Sequence, residues 1–123
     1  IDACLVGSEM CIRDRDISGV GGIIDMIKII KLSHEKKVTV SPHCWNSMSI
    51  AASAMVHVCM SFTNTEMAEF FPEYIPYSLK FSNQNYEIKD GFVKIEDNEG
   101  LGINIDTKLL MEDTSSYRET ELT

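Results

Sequence analysis

This chain has no long apolar run. No stretch approaches the ~20 consecutive apolar residues of a membrane span, so no membrane partner is expected. It has no excess of positive charge either. Eleven Lys and Arg stand against 19 Asp and Glu, for a formal net charge of −8. No basic stripe exists to neutralise phosphates, which argues against nucleic-acid binding. The start lacks the basic flank and long apolar core of a secretory signal. The four cysteines, Cys4, Cys11, Cys44 and Cys59, show no C-x-x-C spacing, and they read as reduced thiols of a cytoplasmic protein. Internal repeats are absent. What is present is an acidic chain of 123 residues, one domain at most, apolar enough to build a core.

Residues 1–15 fit no structural period. The run Cys4-Leu5-Val6-Gly7-Ser8-Glu9-Met10-Cys11-Ile12-Arg13-Asp14-Arg15 closely resembles a translated sequencing-adapter read-through at the end of a gene assembled from environmental DNA. The segment is set aside as non-native, like an expression scar. The expectation is then a truncated gene whose upstream protein is missing.

From Asp16 onward the pattern is ordered. Gly21-Gly22 marks a turn into a helix. Ile23, Met26, Ile27, Ile30 and His34 then recur at helical spacing, with Asp25, Lys28, Lys31 and Glu35 on the polar side. Lys36-Lys37 suits a helix C-terminus. Val38-Thr39-Val40 is short and β-branched, and it predicts a buried strand ended by Pro42. Ser49 to Met60 predicts a second helix, apolar nearly all round and therefore well buried. Thr65 to Phe71 predicts another short strand, closed by Pro72. Helix, strand, helix, strand is the α/β alternation.

After Pro76 the rhythm changes. Tyr86-Glu87-Ile88-Lys89 and Phe92-Val93-Lys94-Ile95 flank Asp90-Gly91, a strong signal for a two-residue hairpin with positive φ at both central positions. Gly100-Leu101-Gly102 predicts a loop, and Leu109 to Met111 one helical turn. Residues 112–123 are polar and expected to fray. The organisation expected is a segment 1–15, an α/β part at 16–76, and a hairpin and tail at 77–123.

Two residues carry the chemical signal. Asp16 precedes the glycine turn, and His43 sits in Ser41-Pro42-His43-Cys44-Trp45, separated from Asp16 by one helix pattern and one strand. In a parallel sheet or barrel that spacing places both side chains at the C-terminal ends of neighbouring strands, where such folds build active sites. A carboxylate beside an imidazole fixes its tautomer and stabilises its charged form, which makes a general acid/base pair.

Five segments in order, Asp-Ile-x-x-Val-Gly-Gly-Ile from Asp16, Ser-Pro-His-Cys-Trp, Glu69-Phe70-Phe71, Asp90-Gly91 and Gly100-Leu101-Gly102-Ile103, resemble the C-terminal end of the enolase superfamily in the mandelate racemase and muconate lactonizing enzyme branch. The resemblance covers residues 16 to about 110. It implies the C-terminal part of a (β/α)8-type barrel, incomplete here, with a hairpin tail that would pack on a missing α+β capping domain. It implies a Mg²⁺-dependent enzyme that removes the proton α to a carboxylate and forms a metal-held enediolate. Asp16 matches the aspartate ending the sixth strand, His43 the histidine ending the seventh, and Glu69 the glutamate of the eighth, which hydrogen-bonds the substrate carboxylate. An Asp–His pair, where the other main subgroup carries a lysine, points to mandelate racemase-like acid-sugar dehydratases acting on small sugar acids, commonly homo-oligomers. The acidic Mg²⁺ ligands and a Lys-x-Lys base belong to earlier strands that this chain lacks, so no metal ligand is assigned here. Glu99 stands where the tail loop usually has proline.

Each residue also has a plainer reading. Asp16 suits a turn or helix cap, and His43 a satisfied core polar group. Glu66 competes with Glu69, because a one-residue slip turns the other face inward. Trp45 lines the pocket or simply packs in the core. His57 and Cys59 read as packing residues, and His34 as a favourable charge at a helix end. Cys44 points opposite to its neighbour His43, which argues against a thiol nucleophile. Gly21-Gly22 reads as close helix–sheet packing rather than an anion site. The function expected is that of a dehydratase fragment, inactive alone. A racemase, epimerase or cycloisomerase of the same branch is the alternative enzyme, and a small non-catalytic α/β binding module the alternative of another class. As an isolated polypeptide, residues 16–123 are expected to fold poorly, because a quarter of a barrel leaves strand edges unpaired.

Overall fold

The computed structural model describes residues 14–44, 49–65, 67–83 and 86–113. These form a small α/β unit. Strand β1 (Asp14–Asp16) is followed by helix α1 (Ile23–Glu35), strand β2 (Ser41–His43) and helix α2 (Ser49–Met60). A 3-10 turn (Pro72–Tyr74) runs into the short helix α3 (Ile75–Ser78). Strands β3 (Glu87–Lys89) and β4 (Phe92–Lys94) make a hairpin, and α4 (Thr107–Glu112) follows. β1 and β2 pair in parallel, in the register Asp14↔Ser41, Arg15↔Pro42 and Asp16↔His43.

β1 includes Asp14 and Arg15, two residues of the segment set aside at the sequence level. The strand runs through that boundary. The preceding residues, with Cys4 and Cys11 among them, lie outside the described part, as do Trp45 and Glu66.

Both long helices stand where their periodicity put them. α1 turns Met26 and Ile30, four apart, fully into the core. Ile23 and His34, expected on that face, are exposed at the helix ends. α2 buries Ala52, Ser53, Ala54, Met55, Val56 and Val58, so it is covered nearly all round, while Ile50 and Met60 near its two ends stay exposed.

The strands moved. The predicted strand at 38–40 is irregular, and β2 begins at Ser41 with Pro42 at its centre. The reason is the partner. The described ladder partner, β1, lies opposite Ser41–His43, so the parallel pairing forms there. Val40, Pro42 and Cys44 still alternate into the core against the helices. The predicted strand at 65–71 is irregular in its described residues, 65 and 67–71. Its described part runs beside β2, with the Glu69 amide donating to the Pro42 carbonyl at 3.2 Å. Pro72 opens a 3-10 turn there.

The tail follows its turn signals closely. Asp90 and Gly91 both have positive φ, 52° and 81°, as a two-residue hairpin of the mirror-image type requires. Glu87 faces Lys94 across that hairpin, and the two form an ion pair at 3.5 Å. Ser53 Oγ donates to the Leu101 carbonyl at 2.5 Å, tying the glycine loop to α2. The Asp106 carboxylate caps α4 by accepting from the Lys108 and Leu109 amides. Gly21 and Gly22 serve conformation, with φ of 103° and 93°. A Cβ on Gly22 would meet open space, so close packing does not account for it.

Burial predicts two different truncation costs. In the complete polypeptide encoded at the source locus, Met55→Ala should cost about 2–5 kcal/mol. Ile50→Ala, on the same helix but exposed, should stay within about 0.5 kcal/mol of wild type. Urea unfolding of the two variants checks this, and equal costs would contradict the burial of α2.

Candidate functional site

The register of β1 with β2 builds the site. Residues in register on neighbouring strands point to the same face, so Asp16 and His43 share the face opposite Val40, Pro42 and Cys44. His43 Nδ1 lies 3.4 Å from Asp16 Oδ2. His43 Nε2 contacts Glu69 Oε2. The imidazole thus stands between two carboxylates, one at each ring nitrogen. The Phe71 ring meets the imidazole edge-on, with centroids 6.4 Å apart.

Asp16 makes the contacts that both sequence readings call for. Its Oδ1 accepts from the Ser18 and Gly19 amides at 2.8 and 3.0 Å, shaping the turn toward α1. Its Oδ2 faces His43. Holding the turn therefore fixes the carboxylate in the orientation that meets the imidazole.

The three side chains differ in access. His43 is 11% exposed, Asp16 26% and Glu69 43%. The imidazole is the anchored member and Glu69 faces solvent. Glu69 is held through its backbone instead. Its amide donates to the Pro42 carbonyl, and the Cys44 thiol donates to its carbonyl at 3.6 Å. Ser41 Oγ donates to the Met67 carbonyl at 3.0 Å. Phe71 and Ser41 belong to the site's surroundings and carried no local signal in the sequence. Ser41 shows its role only once Pro42 is seen inside a strand.

The proton count follows from the contacts. A ring nitrogen beside a carboxylate needs a proton between the two. Two such contacts need two protons, whether the pair is an imidazolium between two carboxylates or a neutral imidazole with a protonated Glu69. The trio carries a net charge of −1 in either case. In the second arrangement Glu69 holds a proton that it can donate.

The Cys44 thiol ties the Glu69 backbone and is not placed as a nucleophile. The residue is buried, and burial followed by the charge of Asp16 pushes its thiol up to about 11. Cys59, on α2, is pushed up to about 12 by burial and then by Cys44. His57 packs against its own helix, Nδ1 2.8 Å from the Ser53 carbonyl oxygen. Among the described residues no group of three or more His, Cys, Asp or Glu side chains is placed to hold a metal ion. Among them also no helix is long and apolar enough to cross a membrane.

Residues 12–109 match the model of the family described as Enolase C-terminal domain-like. No curated protein matches the chain. Among solved structures the chain is similar to an enolase of the mandelate racemase subgroup from Agrobacterium tumefaciens, at 20% identity and a TM-score of 0.72. The match covers 80% of this chain and 27% of that one, so this chain spans about a quarter of the length of that enzyme.

The thiol shift makes a prediction about Cys44. With its pKa near 11, roughly one molecule in a thousand carries the thiolate at pH 8. Alkylation of the folded protein at pH 8 should leave Cys44 unmodified, and the rate should climb about tenfold per pH unit above that. Mass spectrometry of iodoacetamide-treated protein checks this, and rapid labelling at pH 7 would contradict the burial of Cys44.

Proposed function

As this chain belongs to the Enolase C-terminal domain-like family, we propose that it is the C-terminal part of an acid-sugar dehydratase of the mandelate racemase type. β1 and β2 would be the sixth and seventh strands of a (β/α)8-type barrel, and the hairpin would pack on an α+β capping domain. The reading rests on one observation above all. His43 stands between the Asp16 and Glu69 carboxylates, at the C-terminal end of a parallel strand pair.

The reaction follows from what each group can do. His43 Nε2 takes the proton α to the substrate carboxylate. The electron pair left on carbon moves into the carboxylate, giving an enediolate. Asp16, locked by two backbone amides, keeps Nδ1 protonated and Nε2 free to accept. Glu69, protonated, donates a hydrogen bond to the carboxylate as its charge grows. Collapse of the enediolate expels the β-hydroxyl, which leaves as water with the proton that His43 had taken. Substrate binding exchanges the His43–Glu69 contact for contacts to the substrate. The more exposed Glu69 moves more easily than the buried imidazole.

Magnesium is implied by the family resemblance. The described residues do not form its site, and in this proposal its ligands belong to a part of the protein outside this chain. None of the steps above is routed through the metal.

A long sequencing read across the Arg15–Asp16 junction in the source DNA tests the wider reading. Three acidic ligand positions and a Lys-x-Lys upstream are expected. A genuine start codon directly before Ile1 would remove the enzyme assignment. In the complete protein His43→Asn should lower turnover of a sugar-acid substrate by about 10²–10⁴-fold while the fold is kept. Asp16→Asn should keep the turn, because its amide oxygen still accepts from Ser18 and Gly19, yet lose most of the turnover. A Keto-acid assay and a circular dichroism spectrum check both variants, and unchanged turnover in His43→Asn would sink the role given to that residue.

A further inference from the structure

We propose that the Ser41 hydroxyl replaces the backbone donor that Pro42 lacks, and that Ser41 is thereby the positioning residue that sets Glu69 against His43. The inference deepens the reading of His43 and Glu69 as partners in proton transfer and rests on it.

Successive residues of a strand direct their backbone groups to alternate sides. The His43 carbonyl accepts from the Ile17 amide, toward the β1 side. Pro42 therefore faces the other way, toward the segment holding Met67 and Glu69, and its carbonyl accepts from the Glu69 amide at 3.2 Å. In a parallel ladder a residue whose carbonyl accepts from one amide sends its own N–H to the carbonyl two residues earlier on the same neighbour. For Pro42 that acceptor is the Met67 carbonyl, and proline has no N–H to send. The Met67 carbonyl instead receives Ser41 Oγ at 3.0 Å. The side chain of one residue thus makes the ladder bond that the backbone of the next cannot.

The consequence reaches the site. Met67 and Glu69 are two residues apart on an irregular segment that borders β2. Two bonds from β2, Ser41 Oγ to Met67 and Glu69 N to Pro42, bracket this stretch, and the Cys44 thiol adds a third at 3.6 Å. The Glu69 carboxylate is 43% exposed, so packing does little to hold it. Its placement at His43 Nε2 depends on these ties. The Ser41 bond is the one whose donor can be removed without touching the backbone.

The test compares Ser41→Ala, Ser41→Thr, Glu69→Gln and the double variant Ser41→Ala/Pro42→Ala, each in the complete polypeptide encoded at the source locus. The readout is the low-field proton resonance of the His43 imidazole facing Glu69, with the amide spectrum of α2 as the check on folding. Wild type and Ser41→Thr should show the resonance. Ser41→Ala should lose it, as Glu69→Gln does. The double variant should regain it, because alanine at position 42 supplies the missing N–H. A Ser41→Ala protein that is folded and keeps the resonance overturns the proposal, and so does a folded double variant that fails to regain it. If Ser41→Ala does not fold, the double variant decides: recovery of fold and resonance supports the replacement, and continued failure overturns it. With a sugar-acid substrate, Ser41→Ala should lower kcat on the order of ten- to a hundredfold with little change in KM. Full turnover in His43→Asn would remove the catalytic reading and leave the resonance test standing.

Discussion

The pairing of β1 with β2 is the constraint on which the rest of this structure depends. It is only three residues long, yet its register, with Asp16 opposite His43, decides two things at once. It brings the carboxylate and the imidazole to one face, and it turns Val40, Pro42 and Cys44 to the other, against Met26, Ile30 and Met55. A slip of one residue would exchange the faces, burying the charged groups and exposing the apolar ones. Core burial therefore enforces the register, and the register assembles the site.

Within that frame the two carboxylates are held by opposite means. Asp16 is fixed directly, since one of its oxygens is occupied by two backbone amides and the other is left for His43. Glu69 is fixed through its backbone, and its carboxylate reaches out of a half-exposed position. The difference suits the two roles proposed for them. A group that orients an imidazole should not move. A group that passes from the imidazole to a substrate carboxylate has to.

Helices and the hairpin were legible in the chain because their signals are local. The 3.6-residue period of Met26 and Ile30, the apolar run of Ser49–Met60, and Asp90-Gly91 each specify structure without reference to distant residues. The strands were not, because a short parallel strand is placed by its partner. Val38-Thr39-Val40 has the better β composition, but the ladder forms at 41–43, opposite Asp14–Asp16. Asp16 and His43 were found from spacing, and the structure sets them side by side. Glu69 came from the order of motifs alone, since nothing around it distinguishes it locally from Glu66. The cap at Asp106 and the donor at Ser41 were missed. The first has the ordinary look of a loop aspartate, and the second makes sense only beside a proline that composition rules would place outside any strand.

That proline is better understood as part of the site than as an exception to sheet rules. Its ring is fully buried with Val40 and Cys44, so it contributes to the core that enforces the register. Its missing donor leaves the Met67 segment short of one backbone ladder bond, and the Ser41 hydroxyl stands in its place. A regular strand would bind Glu69 as tightly as β1 binds Asp16. A segment tied by a hydroxyl, an amide and a thiol keeps Glu69 in register with His43 but leaves its side chain room to turn. The stiffness of the pair Asp16–His43 and the looser hold on Glu69 thus come from β2 and the Cys44 that follows it, one face packed and the other carrying the candidate site.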